Sequence, residues 1–391
     1  MSISIVSPRM LRLGGGCVSE VANLLAQLGL SRPLVVTDPF MVSSGLVRAC
    51  LDPLAAAGIA APVFSDTIPE PTDEVVERGV ARLAAEPGVD CLIGFGGGSP
   101  IDTAKAIAIL AAGGGKMRDY KVPVQADLAA LPVIAIPTTA GTGTEATRFT
   151  VITDTERGEK MLIAGLAALP LAALVDFELT YTVPPRTTAD TGIDSLTHAL
   201  EAFVSRRANP YSDAQAVAAM RLIGAHLRTA YAEPHNAAAR EAMMLGATQA
   251  GMAFCNSSVA LVHGMSRPIG AHFHVPHGLS NAMLLPAVSR FGLHHGLPRY
   301  AAAARVIGFA EAADDDATAG AKLIEGLVAL NRDLGVPTPA GFGIRAEAWA
   351  AQMDLMADQA LASGSPGNNP RVPGKAEIVA LYQEVWDSGV N

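Results

Sequence analysis

Cysteine, charge and long apolar runs are all scarce in this chain of 391 residues, and each scarcity excludes something. The four cysteines, Cys17, Cys50, Cys91 and Cys255, lie far apart and form no C-x-x-C pair, so neither a disulfide framework nor a cysteine zinc site is expected. A reducing cytoplasm is the compartment that fits. Charged residues make up 17% of the chain against 50% hydrophobic, which excludes a disordered chain. The charge that is present leans acidic, Asp+Glu 37 against Lys+Arg 28 for a net −9, so the basic surface that a nucleic-acid partner requires is missing. The opening MSISIVSPRM has no basic region followed by an apolar stretch, and no secretory signal is expected. The longest apolar run, Met161 to Val175, is bracketed by Lys160 and Asp176 and interrupted by Pro170, too short for a bilayer span of about 20 residues. A soluble protein with no membrane partner follows, long enough at about 150 residues per domain for two or three domains.

What is present changes character along the chain. Over the first 180 or so residues, short apolar runs (Val35 to Thr37, Cys91 to Phe95, Pro132 to Ile136) alternate with Ala/Leu-rich segments such as Val75 to Ala85 and Thr103 to Ala112. Runs without polar alternation, separated by helices, are what an open, mainly parallel sheet covered on both faces requires, and such sheets bind ligands at their carboxyl edge. After Pro184-Pro185 the windows Thr191–Ser205, Ser212–Tyr231, Ala237–Phe254, Tyr300–Glu311 and Ala317–Leu334 predict an all-helical second half. The expected boundary gives an α/β domain over 1–183 and a helical domain over 184–391. No internal repeat is visible, and Ser363 to Lys375, rich in Gly and Pro, predicts an ordered surface loop.

Three glycine clusters invite a nucleotide reading. Gly14-Gly15-Gly16 fails the G-x-G-x-x-G pattern because Ser19 stands at its last glycine, and it predicts a turn. Gly113-Gly114-Gly115-Lys116 has Leu110 and Met117 where a P-loop needs Gly and Ser/Thr. The third, Gly96-Gly97-Gly98-Ser99-Pro100-Ile101-Asp102, sits between an apolar strand and an Ala/Ile-rich helix, with Ser99 expected as N-cap, Pro100 at the first helical position and Asp102 at the third. Glycines let the backbone approach a pyrophosphate, and the helix N-terminus favours its charge. Pro137 to Glu145, with four hydroxyls and two glycines, is a second expected cradle after the next strand. Asp38 ends a strand, where a carboxylate accepts from ribose hydroxyls and repels a 2′-phosphate, favouring NAD over NADP.

Four of the nine histidines, His263, His272, His274 and His277, fall within fifteen residues. Asp194 and His198 stand at i, i+4 in a predicted helix, on one face about 5–6 Å apart. Together with two more imidazoles they make a three-His, one-carboxylate site suited to iron or zinc with open positions for substrate. Spacing alone leaves open which imidazoles complete it: His272 and His274 share a strand-like or loop face, and His277 precedes Gly278. A Lewis acid beside a dinucleotide lowers the pKa of an alcohol so that hydride can leave towards the nicotinamide. Neither H-E-x-x-H nor G-x-S-x-G is present to offer a competing chemistry.

These residues together resemble the iron-containing (group III) alcohol dehydrogenase family. The resemblance is carried by Gly96 to Ser99 with Asp102 and Lys105, Pro137 to Glu145, Pro184-Pro185-Arg186, Gly192 to Ala199, His263-Gly264-Met265, Pro276-His277-Gly278 and Asn369-Pro370-Arg371. It implies a dehydroquinate synthase-like fold, with a dinucleotide-binding α/β domain, a helical metal-binding domain and a metal in the cleft between them. Carried over by position, the ligands would be Asp194, His198, His263 and His277, with His272 and His274 in the wall or behind the ligands. The cofactor contacts would be Asp38, Gly97, Gly98, Ser99, Thr138, Thr139 and Thr142, with Lys160 near the nicotinamide ribose and Leu179 lining the same groove. Phe149, Phe254 and His274 would stand in the pocket wall.

The activity implied is an NAD-dependent alcohol dehydrogenase or aldehyde reductase using Fe2+, or Zn2+, on a small alcohol or carbonyl. His277 is then expected at the reacting centre, and the proton is expected to leave through the cofactor ribose, water or a nearby imidazole such as His274. Homodimers or higher oligomers are usual in the family, often built through the N-terminal strand. Two positions depart from the family pattern. Arg267 stands where close members have histidine, placing a permanent cation one helical turn from His263, where it binds an anionic substrate bidentately or else forms a structural salt bridge or points at the cofactor phosphates. Phe177 replaces a usual proline, a change of packing. The alternatives are a maleylacetate reductase or glycerol dehydrogenase-like enzyme of the same superfamily, the former disfavoured by an intact ligand set, or a non-enzymatic sensor.

Overall fold

The computed structural model describes residues 2–388, and the chain divides into two compact units, Met1–Thr182 and Val183–Asn391. In the first, the strands are β1 (Met10–Leu13), β2 (Pro33–Val36), β3 (Val63–Phe64), β4 (Cys91–Gly96), β5 (Val133–Pro137), β6 (Phe149–Asp154), β7 (Glu159–Ala164) and β8 (Ala172–Val175). Its helices are α1 (Val21–Leu28), α2 (Pro39–Ser43), α3 (Arg48–Ala56), α4 (Asp73–Ala84) and α5 (Gly98–Gly113). Six strands form one parallel sheet in the order β1-β8-β5-β4-β2-β3, with Leu34 opposite Leu92 and Leu92 opposite Val133. Strands β6 and β7 make a separate antiparallel hairpin.

The apolar runs lack alternation because both faces of the sheet are covered. Leu34, Val36, Leu92 and Val133 pack on one side with Val75 and Val76 of α4 and Ala104 and Ile107 of α5. Val35, Cys91, Ile93, Phe95 and Ile134 pack on the other with Leu24 and Leu25 of α1 and Cys50 and Leu54 of α3. With two-residue periodicity, β2, β4 and β5 therefore each feed two cores. The chain leaves β2 for β3 on one side and returns to β4 on the other, so the strand order reverses between β2 and β4. In open α/β sheets that crevice, at the carboxyl ends, is where ligands bind. Asp38 and Gly97 follow those two strand ends, and the Thr37 hydroxyl donates to the Phe95 carbonyl (2.8 Å) to tie them together.

Helix α5 starts earlier than its Ser-Pro sequence suggests. Gly97 is the N-cap and makes no side-chain cap, so Ser99 and Pro100 fall at the second and third helical positions. A proline is tolerated there because none of the first N–H groups has an intrahelical partner. Asp102, displaced from the first turn, instead accepts from the Thr144 hydroxyl (2.6 Å) and the Val151 N–H (2.9 Å). The run Met161 to Val175 is divided between β7 and β8, and among the described residues no helix is long and apolar enough to cross a membrane.

Among its described residues the second unit has helices and no strands: α6 (Pro185–Val204), α7 (Pro210–Ala232), α8 (Ala237–Cys255), α9 (Leu261–Phe273), α10 (His277–Ile307), α11 (Asp316–Asp333), α12 (Ala346–Ala362) and α13 (Lys375–Asp387). Helix α6 begins with Pro185 at its first position, where proline's fixed φ suits a helix start, and not at Thr191. It is buried along nearly its whole length, against α7, α8 and α10. The window expected over Tyr300–Glu311 falls in the stretch of α10 that follows a kink at Gly296 (φ −126°, ψ 20°) and stops at Gly308 with φ +90°. Ser363 to Lys375 is ordered but less superficial than expected, since Ser365, Pro366 and Asn369 are buried.

All four cysteines are buried thiols. Burial pushes Cys17 and Cys50 up to about 12 and Cys91 higher still. Because the thiolate is the reactive form, fewer than about one thiol per chain should react with a disulfide reagent at pH 8 in native protein. All four should react once it is unfolded; rapid native labelling of two or more would contradict this burial.

Candidate functional site

The long helix α6 presents Asp194 and His198 one turn apart, both at most 7% exposed. Helix α9 brings His263 in its first turn, and α10 brings His277 as its first residue. Gly278 lets α10 come close, since a Cβ there would overlap the carbonyl oxygen of Asp190 on α6. Asp194 Oδ1 lies 3.5 Å from His263 Nε2, 3.7 Å from His277 Nε2 and 3.9 Å from His198 Nε2. One donor atom from each of the four residues falls within 4.8 Å of the other three. Ligand atoms about 2.1 Å from a tetrahedral ion stand about 3.4 Å apart, so this donor set fits a divalent ion with a modest contraction.

The surroundings fix these rings. His198 is stacked between Phe254 (4.4 Å) and His263 (4.4 Å). Burial opposes the charge of Asp194, but the imidazoles of His198, His277 and His263 outweigh it and hold the carboxyl well below its usual range. Burial likewise opposes protonation of His263, and hydrogen bonds to Asp194 and Glu201 reverse the balance and raise its pKa.

Two residues that the sequence reading did not single out belong to this cluster. Glu201, 3% exposed, accepts from His263 Nδ1 (2.7 Å). Asn281 Nδ2 donates to Asp194 Oδ1 (2.6 Å) and lies 3.2 and 3.3 Å from the Nε2 atoms of His263 and His277. The signal was there: Glu201 follows His198 by three residues and Asn281 follows His277 by four, each on the face of its predecessor.

His272, His274 and Arg267 lie outside the four-residue cluster. His272 is in the last turn of α9, not on a strand, and meets Gln359 (2.8 Å). His274 is the exposed C-cap of α9 with φ +55° and is outside the four-residue cluster. Arg267, partly buried on α9, donates through Nη1 to the Ser365 hydroxyl (3.2 Å). Among the described residues no carboxylate reaches within 4 Å of it. Burial lowers its pKa and the charge of Glu201 opposes that shift.

In the first unit the two loops meet. A Cβ on Gly98 would come within 2.9 Å of Thr142 Cγ2, and one on Gly97 within 3.5 Å of Thr139 Cγ2. Thr138 is buried, whereas Ser99, Thr139 and Thr142 are partly open. Asp38 caps α2, its Oδ1 accepting from the Met41 N–H (2.9 Å). Lys160 on β7 is ion-paired with Glu70, and Leu179 is buried in the core that also holds Val35, Ile93 and Ile134. Phe177 packs edge-on to Tyr181, and Phe149 lends its carbonyl to Lys105 Nζ.

Residues 8–177 match the family described as iron-containing alcohol dehydrogenase, and residues 188–386 match its C-terminal region. An NAD-dependent methanol dehydrogenase of Bacillus methanolicus is 37% identical, over 95% of this chain and 96% of its own. The crystal structure of a 1,3-propanediol oxidoreductase superposes with a TM-score of 0.94 at 34% identity, covering 98% of this chain and all of that one. A sulfoacetaldehyde reductase from Bifidobacterium kashiwanohense, solved in complex with NAD+, gives a TM-score of 0.88 at 29% identity over 99% of this chain and all of its own. This chain belongs to the iron-containing alcohol dehydrogenase family, oxidoreductases that act on CH–OH groups, with the dehydroquinate synthase-like arrangement of a parallel α/β unit followed by a helical one.

Proposed function

We propose that the protein is an NAD-dependent alcohol dehydrogenase or aldehyde reductase requiring a divalent metal, Fe2+ or in its place Zn2+. The observation that carries this reading is the convergence of Asp194, His198, His263 and His277 on one point. These four residues would hold the ion, and residues 184–391 would form the metal-binding domain. A divalent ion there supplies Lewis acidity to an alcohol or carbonyl oxygen, while the nicotinamide supplies the hydride acceptor or donor. Phe254 covers one face of His198 and keeps water from it.

Residues 1–183 would hold the dinucleotide. Gly97, Gly98 and Ser99 offer the uncapped start of α5 to a pyrophosphate, and Thr138, Thr139 and Thr142 offer hydroxyls beside it. With Oδ1 of Asp38 engaged by Met41, Oδ2 is left for a ribose hydroxyl, and the carboxylate disfavours NADP. The test is metal analysis of anaerobically purified protein, joined to a screen of alcohols and aldehydes with NAD(H) and NADP(H). About one divalent ion per chain and chelator-sensitive turnover with NAD(H) are expected. Turnover that survives complete metal removal overturns the reading.

Arg267 extends the proposal to substrates that carry an anion. Its guanidinium stands one turn from His263 with a neutral hydroxyl as its hydrogen-bond partner, and one relative is a reductase of sulfoacetaldehyde, an aldehyde with an anionic sulfonate. A hydrogen bond to a charged group contributes about 1.5–3 kcal/mol, so Arg267→Ala should raise KM for an acid-bearing aldehyde about 10- to 100-fold. KM for a neutral aldehyde should stay within about twofold. Equal effects on both would remove Arg267 from substrate recognition.

A further inference from the structure

We infer that Glu201 is the positioning residue for His263 and sets the affinity of the four-residue centre for divalent metal; this rests on the metal reading above. Glu201 lies on α6, three residues after His198, and is 3% exposed. Its carboxylate collects three N–H groups from α9 and the residue that precedes it: Ala260 N (2.8 Å), Val262 N (2.6 Å) and His263 Nδ1 (2.7 Å). Among the described residues no lysine or arginine pairs with it.

Each contact has a consequence. Helix α9 makes no side-chain cap of its own at Ala260, and Glu201 supplies the acceptors its first turn lacks. The positive end of the helix dipole in turn favours the carboxylate. On the imidazole, an acceptor at Nδ1 holds a proton there, which makes Nε2, the nitrogen on the Asp194 side, the one that would ligate a metal. Glu201 thereby fixes the position of α9 against α6 and the electronic state of His263 together, so three of the four donors are set in one frame before any ion arrives.

Glu201→Gln separates these roles from simple space filling. The amide is nearly isosteric, but its NH2 donates where the carboxylate accepted; turned towards His263 Nδ1, it drives the proton to Nε2, into the centre. The measurement is Co2+ affinity by chelator competition, together with the visible absorption of bound Co2+ and the thermal midpoint, for the parent protein and the Glu201→Gln, Glu201→Asp and Asp194→Ala variants. Glu201→Gln should weaken Co2+ about 10- to 100-fold and alter its spectrum. Glu201→Asp, which keeps the charge, should recover part of that loss. Parent-like affinity in Glu201→Gln overturns the inference. If that variant does not fold, unchanged Co2+ affinity and spectrum in Glu201→Asp overturn it instead. Should the parent and Asp194→Ala bind Co2+ equally, the metal reading itself fails; should only Asp194→Ala lose it, the centre stands and Glu201 has no part in it.

Discussion

Asp194→Ala is expected to leave the purified protein with under about a tenth of its divalent metal and to lower kcat/KM by about 10^3-fold or more. The size follows from the chemistry: a Lewis acid contributes several kcal/mol to such a reaction, and about 1.4 kcal/mol is a factor of ten. The position follows from the geometry. Asp194 Oδ1 is the atom towards which the Nε2 atoms of His198, His263 and His277 all converge, and it supplies the only carboxylate of the four donors. Without it three imidazoles have no shared anion, and Asn281 loses its 2.6 Å acceptor. Asp194→Asn sharpens the test by keeping shape and removing charge; it should lose metal nearly as completely. Full metal content and full activity in Asp194→Ala would show that the centre lies elsewhere.

The largest effect on stability is expected from Lys105→Met. Lys105 is fully buried on α5. Its ammonium donates to the Thr144 carbonyl (2.7 Å) and hydroxyl (2.8 Å), the Thr147 carbonyl (3.0 Å) and the Phe149 carbonyl (2.8 Å). One side chain thus gathers the stretch that leads from the Thr138–Thr142 loop into β6. Burial raises the pKa of Asp102, and the charge of Lys105 is the chief influence opposing it. A methionine fills similar space but strands several buried acceptors, each costing about 1–3 kcal/mol, so a net loss of about 3–5 kcal/mol is expected. That corresponds to a thermal midpoint lower by about 10 °C. A shift under about 2 °C, read by calorimetry, would mean that water replaces the ammonium at no cost.

The parallel sheet was legible in the sequence because burial on both faces removes polar alternation, as in Cys91 to Phe95. The helices of the second unit were legible only where proline is absent. Helix α9 holds Pro268 and α10 holds Pro286, which read locally as breaks yet are accommodated within the helix, whereas α10 does kink at Gly296, two residues before Pro298. The start of α5 was misplaced for a related reason: Ser99-Pro100 imitates a cap and first position, while the backbone enters the helix two residues earlier, at Gly98. At the centre, spacing yielded the Asp194–His198 pair and a choice among four imidazoles. Selecting His263 and His277 took the family resemblance, because which face α9 and α10 turn to α6 is decided by packing such as that of Gly278 against Asp190. Glu201 shared the face of His198 and went unread, because a glutamate in a helix is ordinarily a solvated residue.

The burial of α6 also bears on rate. Local opening ranges from almost free at frayed ends to the full cost of unfolding in a core helix. Asp194 and His198 sit in the interior of a helix enclosed along nearly its length, whereas His277 opens α10 with a side chain 40% exposed. If an ion is held there, its exchange would begin at His277, while Asp194 and His198 would stay in place through local openings of the α10 start.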